Sequence, residues 1–291
     1  MPFLGAHMSI AGGLHKAVER IASIDGQALQ VFTRNQRQWK AAPVTDEEAE
    51  AFRLAVANWG FAHVASHDSY LINLASPDPE VAAKSRKALA DELVRCARLG
   101  IPMVVLHPGA HLGAGVAAGI AALTDNLDAA MEEAEAVDQG SGAVRVLLEN
   151  TAGQGSGLGS SFEELAEVMA RSRHAQRLAV CLDTCHAFAA GCDLRTDEGY
   201  AATFETFDRT IGLERLRLFH LNDAKTDRGS RVDRHEHIGK GRLGLEPFRR
   251  LLNDPRFAGL PMVIETPKGE GDQLELDRMN LETLRELIRR A

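Results

Sequence analysis

The chain has 291 residues, 45% hydrophobic and 25% charged, a composition that excludes disordered and fibrous classes and suits a globular protein. Its 33 Lys and Arg against 41 Asp and Glu give a net charge of −8, which argues against indiscriminate nucleic-acid binding, because phosphate neutralisation normally shows as a basic surplus. No stretch approaches the roughly 20 apolar residues of a membrane span, and residues 1–10 lack the basic and apolar regions of a secretion signal, so a cytoplasmic protein with no membrane partner is expected.

Apolar runs at 3–7 and 29–33 open the chain and end on His7 and Thr33. A helix is expected over 45–59, where a Thr and an acidic first turn precede the stop at Gly60. The run 61–67 ends on His67. Over 78–99, Val81, Leu89, Leu93, Cys96 and Leu99 fall at helical spacing, and Gly100 and Pro102 stop the helix. The run 102–107 ends on His107, a helix covers 115–137, and the run 144–149 ends on Glu149. A Gly-rich loop at 151–161 follows; it reads GxGxGxG rather than the GxGxxG of a dinucleotide site and is taken as a flexible turn. Then come a helix at 161–169, a run at 178–183 ending on Asp183, a helix at 199–212 and a run at 216–220 ending on His220. A long charged loop at 221–244, a helix at 246–252, a run at 262–265 ending on Glu265 and a helix at 274–290 complete the chain.

Six runs therefore end on metal-binding residue types, and the endings are about 34 to 45 residues apart. That is the spacing of a βα repeat. With the first two runs the count is eight, which closes naturally into a (β/α)8 barrel of about 250 residues. The expectation is an α/β protein, a single TIM-barrel domain over 1–291. In such a barrel the strand C-termini share one face, so the six endings converge on a single site.

Imidazoles and carboxylates without thiolate suit zinc, and also manganese or iron. Several unpaired polar groups buried at a barrel mouth would cost several kcal/mol, so a shared cation is the cheaper account. Asp183 and His186 lie three apart, across a strand end and the turn expected after it. Alternation in 232–237 would put Asp233, His235 and His237 on one side, without saying which two of them bind. His63 and His111 are read as supporting or structural residues, and His7 as a support behind the ligands. Basic residues cluster at Arg34, Arg37 and Lys40, at Lys225, Arg228, Arg231 and Arg234, and at Lys240 and Arg242. All follow strands and would lie on the metal-bearing face. Cys96, Cys181, Cys185 and Cys192 show no CxxC pairing and suit reduced thiols.

The segments 35–39 (NQRQW), 67–74 (HDSYLINL), 107–109 (HPG), 148–155 (LENTAGQG), 181–191 (CLDTCHAFAAG), 220–225 (HLNDAK) and 231–235 (RVDRH) span the chain in order. Together they resemble the endonuclease IV family of apurinic/apyrimidinic endonucleases. The resemblance implies three zinc ions, with manganese or iron possible at one or more positions. His67, His107 and Glu149 would hold the first ion, and Glu149, Asp183, His220 and Glu265 the second. His186, Asp233 and His235 would hold the third, which leaves His237 as a neighbour. One departure is Ser66, where the family often has Pro before its first His ligand.

The implied reaction is hydrolysis 5′ to an abasic site in duplex DNA, leaving a 3′ hydroxyl, in base excision repair. Glu149, shared between two ions, would be the catalytic carboxylate, placing the water that two metals ionise near neutral pH. Arg37, Tyr70 and Leu71 match the side chains that the family inserts at the lesion. A missing base lowers the cost of such wedging, so damage is selected partly by deformability. Lys225, Arg228 and Arg231 are expected to contact DNA, and no obligate protein partner is evident. The main alternative is a TIM-barrel, metal-dependent sugar isomerase or epimerase, which uses similar strand-end ligands but has little use for a third ion beside basic loops. A non-catalytic damage binder would have no reason to carry a shared carboxylate.

Overall fold

The computed structural model of the chain describes residues 1–268 and 273–289. Its strands in chain order are β1 (Phe3–Met8), β2 (Ala28–Val31), β3 (His63–His67), β4 (Met103–Leu106), β5 (Arg145–Glu149), β6 (Leu178–Asp183), β7 (Leu216–His220), β8 (Asp223–Ala224), β9 (His235–Glu236) and β10 (Pro261–Ile264). Eight of them close into a barrel in the order β1-β10-β7-β6-β5-β4-β3-β2, every pair parallel. β8 and β9 form an antiparallel hairpin inside the long loop after β7.

Alternation along the strands sorts the core into two parts. Ala28, Ala65, Val105, Leu147, Ala179, Cys181, Leu218 and Val263 fill the barrel. Their neighbours, among them Leu29, Val64, Val104, Val146, Val180 and Phe219, belong to the larger layer that also takes in the buried faces of the helices. β1 and β2 approach so closely that a Cβ on Gly5 would stand 1.7 Å from the Ala28 carbonyl oxygen, so only glycine fits there.

The helices are α1 (Leu14–Ala22), α2 (Asp46–Trp59), α3 (Pro79–Leu99), α4 (Val116–Val137), α5 (Phe162–Arg171), α6 (Thr184–Ala190), α7 (Asp197–Thr210), α8 (Glu246–Asn253) and α9 (Gln273–Leu287). Thr45 and Glu48 form a capping box on α2, and Asp78 caps α3 ahead of Pro79. Gly60 and Gly100 end the two helices in the left-handed conformation.

Two expectations change. α7 begins before Gly199, because Thr196 accepts from the Gly199 amide and Asp197 and Glu198 supply the acidic first turn. The residues after β6 form α6 rather than a turn, because the Asp183 carboxylate caps it by accepting from the His186 amide. The last helix ends at Leu287, and residue 290, where the sequence placed its end, lies outside the described residues. No helix among the described residues is long and apolar enough to cross a membrane. All four cysteines are free.

Candidate metal centre

The strand ends carry the site. β3, β5, β6 and β7 end on His67, Glu149, Asp183 and His220, while His107 and Glu265 stand one residue beyond β4 and β10. Glu149 is fully buried at the centre. His67 Nε2 and His107 Nε2 lie 3.2 and 3.1 Å from its Oε2, and His186 Nδ1 and His220 Nδ1 each lie 3.1 Å from its Oε1. Glu265 Oε2 is 3.2 Å from the same His220 nitrogen. Asp233 links the last two imidazoles, 3.2 Å from His186 Nε2 and 3.2 Å from His235 Nε2.

All nine ligand candidates from the sequence thus meet at one mouth. Donor atoms of His67, His107 and Glu149 lie within 4.8 Å of one another, as do those of Glu149, Asp183, His220 and Glu265, and those of Asp183, His186 and His235. His237 turns elsewhere, its Nδ1 accepting from Asn280 Nδ2 at 3.0 Å.

Charge and tautomer fit a cation. Burial alone would push His186 and His220 down, but Asp183, Asp233 and Glu149 around His186, and Cys181 with Glu265 and Glu149 around His220, outweigh it, and both are raised well above the ordinary histidine range. His235 is raised to about 9, with Asp183 and Asp233 overcoming burial. Burial likewise opposes ionisation of Glu149, Asp233 and Glu265, and the imidazoles reverse it, holding all three below the usual carboxylate range.

Four rings each face an oxygen that can only accept: His67 Nδ1 faces Asp68 O at 2.8 Å, His186 Nδ1 faces Asn150 O at 2.9 Å, His235 Nδ1 faces Glu265 O at 3.2 Å, and His220 Nε2 faces Gln30 Oε1 at 2.8 Å. Each such nitrogen carries a proton, so when the ring is neutral the opposite nitrogen is the one that offers its lone pair, and a cation binding there displaces the second proton. His235 Nε2 is buried and makes no aligned hydrogen bond, although Asp233 Oδ1 is 3.2 Å away, which leaves this nitrogen with a carboxylate beside it and no fixed partner. The residues present fit divalent ions.

Neutral amides, which the sequence did not single out, hold the carboxylates. Gln30 Nε2 donates to Glu265 Oε1 at 2.5 Å. Asn222 Nδ2 donates to Asp183 Oδ2 at 2.6 Å while its Oδ1 accepts from the Glu265 amide at 2.8 Å. Asn150 accepts from the Asp183 amide at 2.7 Å and donates to the Asp183 carbonyl at 3.1 Å. The available signal was position: Asn150 is one residue past Glu149, Asn222 two past His220, and Gln30 lies within β2.

His7 stands behind Glu265, 3.5 Å from Oε1, and burial holds its pKa low. His111 does something different. Its Nδ1 accepts from the Gly113 and Gly115 amides, organising the loop before α4. His63 stacks on Phe3 at the start of β3, at the other end of that strand from His67.

A cleft of about 350 Å³ opens beside the cluster, lined by His67, Tyr70, His107, Gln154, His186 and Asp233 among others. Tyr70 is 67% exposed, its ring 5.9 Å from that of His67. Arg37, Lys225, Arg228 and Arg231 are exposed and Leu71 is half-buried. Arg231 takes a left-handed backbone at φ 55°, and Arg228 pairs with Asp193 at 3.0 Å. Arg34 departs from the surface reading: it is buried, ion-paired to Asp91 and Glu92 at 3.7 Å.

A family model described as a xylose isomerase-like TIM barrel matches residues 18–289. The chain is 53% identical over 291 residues to a probable endonuclease 4 of Chloroflexus aurantiacus, covering 100% of both chains. It is 52% identical over 288 residues to a probable endonuclease 4 of Geobacter sulfurreducens, covering 99% of this chain and 95% of that one. The crystal structure of endonuclease IV from Thermus thermophilus superposes with a TM-score of 0.86 at 37% identity, covering 98% of each chain. A D-tagatose 3-epimerase-like protein superposes with a TM-score of 0.72 at 19% identity over 98% of each chain, which is likeness of fold alone.

Proposed function

The chain belongs to the endonuclease IV family of xylose isomerase-like TIM barrels, and from that premise we propose how its own residues serve an apurinic/apyrimidinic endonuclease of DNA repair. The substrate is duplex DNA carrying an abasic site, incised on the 5′ side to leave a 3′ hydroxyl. One barrel domain carries the activity, working in the cytoplasm without an obligate protein partner. The observation that supports this reading best is Glu149, buried among four imidazoles at the centre of nine nitrogen and oxygen donors.

His67, His107 and Glu149 would hold one ion, Glu149, Asp183, His220 and Glu265 a second, and His186, Asp233 and His235 a third, with zinc the best match to the donor set. When bound, such ions would supply Lewis-acid polarisation of a phosphodiester and a hydroxide near neutral pH. Glu149 is the catalytic carboxylate because it alone faces both the His67 and His220 groups. Asp68, Asn150 and Gln30 keep the imidazoles in the tautomer that offers a lone pair inward. Tyr70, Leu71 and Arg37 form the rim that would enter the helix at the lesion, where the missing base makes unstacking cheap. Lys225, Arg228 and Arg231 would meet the flanking phosphates, which carry most of the affinity of DNA-binding proteins.

The sugar isomerase reading is weaker for this chain. A third donor group and exposed Arg and Lys on the same face suit a polyanion, and the epimerase likeness reaches only the fold. Metal analysis of the purified protein, with a nicking assay on a duplex holding one abasic site, tests the proposal. Expected are about three zinc ions per chain and a single nick on the 5′ side ending in a 3′ hydroxyl. Metal-loaded protein that leaves the abasic duplex intact would refute it.

A further inference from the structure

One donor beside the third ligand group has no part in the chemistry above. Cys185 and His186 are consecutive in the first turn of α6, so their side chains leave the helix about 100° apart. Both reach the segment 233–235. His186 Nε2 meets Asp233 Oδ2 at 3.2 Å, and Cys185 Sγ donates to the Arg234 carbonyl at 3.5 Å. The Cys185 sulfur, a carboxylate oxygen of Asp233 and a ring nitrogen of His235 all lie within 4.8 Å of one another. Cys185 is fully buried, and His235 Nε2 has no hydrogen-bond partner although Asp233 Oδ1 is 3.2 Å away.

We propose that Cys185, Asp233 and His235 form an alternative cation position, suited to a soft, thiophilic divalent ion such as cadmium. This position overlaps the third ion position of the function proposed above, and it rests on that reading of Asp233 and His235. The two positions share those ligands, so they exclude each other: the harder ion takes His186 as its remaining donor, the softer one takes the sulfur. Thiolate is the soft ligand in the set, and imidazole and carboxylate serve either ion. A metal binds the sulfur as thiolate, so the Cys185 proton is released to solvent as the metal–sulfur bond forms, and no oxidant or reductant is needed. The group of His67, His107 and Glu149 shares no ligand with this position.

The other thiols differ. Cys181 points into the barrel interior, Cys96 lies on the buried side of α3 one turn after Glu92, and Cys192 is half-buried. None of the three falls in a group of candidate ligands among the described residues.

The test titrates the purified, metal-loaded protein with cadmium chloride and follows the sulfur-to-cadmium charge-transfer absorption in the ultraviolet, together with cadmium retained per chain after gel filtration. Wild type should gain the band, saturating at one cadmium. Cys185→Ser and Cys185→Ala should lack it and bind cadmium more weakly, by at least the roughly 10–100-fold that losing even an outer partner of a ligand costs. Cys181→Ser should keep the band. Circular dichroism of both Cys185 variants establishes that they are folded, so a missing band reports the ligand and not the fold. A band that persists in either Cys185 variant, or cadmium uptake by wild type without a sulfur band, would overturn the assignment. Failure of the endonuclease reading would instead show as intact abasic DNA in the cadmium-free assay.

Discussion

Replacing Asn280 by Ala should loosen two segments that carry candidate metal ligands at once. Asn280 lies on α9, 1% exposed. Its Oδ1 accepts from the Ile238 amide at 2.9 Å, and its Nδ2 lies 3.1 Å from Thr266 Oγ1, 3.0 Å from His237 Nδ1 and 2.8 Å from Leu276 O. Thr266 follows Glu265, and Ile238 is three residues past His235, whose ring meets the Glu265 carbonyl at 3.2 Å. The truncation strands the buried Ile238 N–H at about 1–3 kcal/mol and removes the two bonds the Asn280 NH2 can donate, worth about 1 kcal/mol each, so a loss of about 3–5 kcal/mol in folding stability is expected. If the amide only supports the fold, that loss is the same with and without metal. If it positions Glu265 and His235, metal affinity also falls by roughly 10–100-fold, and the metal-dependent part of the stability shrinks by about 1.4–2.7 kcal/mol. Urea unfolding of wild type and Asn280→Ala, each with saturating zinc and with chelator, measures both quantities. Equal zinc-dependent increments in the two proteins would refute the positioning role.

Glu149→Ala should abolish incision of an abasic oligonucleotide while circular dichroism stays near wild type; near-normal turnover would remove Glu149 from the mechanism. Changing Arg37, Tyr70 and Leu71 together should erode the preference for abasic over intact duplex, measured by competition binding, more than it alters zinc content. If wild type binds both duplexes equally, the rim has no such role. Asp254 gives a pH test away from the site. Burial opposes its ionisation, but Arg256 and Tyr200 outweigh burial and hold it below the usual value of 3.8. A carboxyl with a depressed folded pKa contributes stability above its unfolded value and loses it as pH falls through the folded one. The stability gap between wild type and Asp254→Asn should therefore be widest near neutrality and close in strong acid, as read by urea unfolding across that range.

The barrel was legible because βα repeats leave two marks on a sequence, apolar runs at a fixed spacing and chemically distinctive residues where the strands stop. β3, β5, β6 and β7 end on the residues the runs ended on. What was not legible depends on tertiary partners. Arg34 reads as one of a basic cluster until Glu92 of α3 is found against it. Glu92 lies between Leu89 and Leu93 on the buried side of that helix, an acid in an apolar stripe and the one local hint. α6 was hidden because its cap, Asp183, was read only as a metal ligand, although one carboxylate oxygen can cap a helix while the other faces the site. His111 offered no sequence sign that it serves backbone amides of its own loop rather than the ligands.

The amides were hidden for a related reason, and their neutrality explains why amides stand there. Asp183, Glu149, Glu265 and Asp233 bring four carboxylates to one mouth, and without donors around them they would repel each other. An Arg or Lys in place of Gln30 or Asn222 would supply those donors, but its fixed charge would compete with a divalent ion for the same oxygens. A carboxylate there would add to the repulsion. Gln and Asn donate to Glu265 and Asp183 while accepting from His220 and from the Glu265 amide, so they fix geometry and tautomer without changing the net charge seen by a cation. The orientation of the charged groups is thereby set by β2, β7 and the loops at their ends before any ion arrives, which is the condition for binding metal tightly without rearranging the barrel mouth.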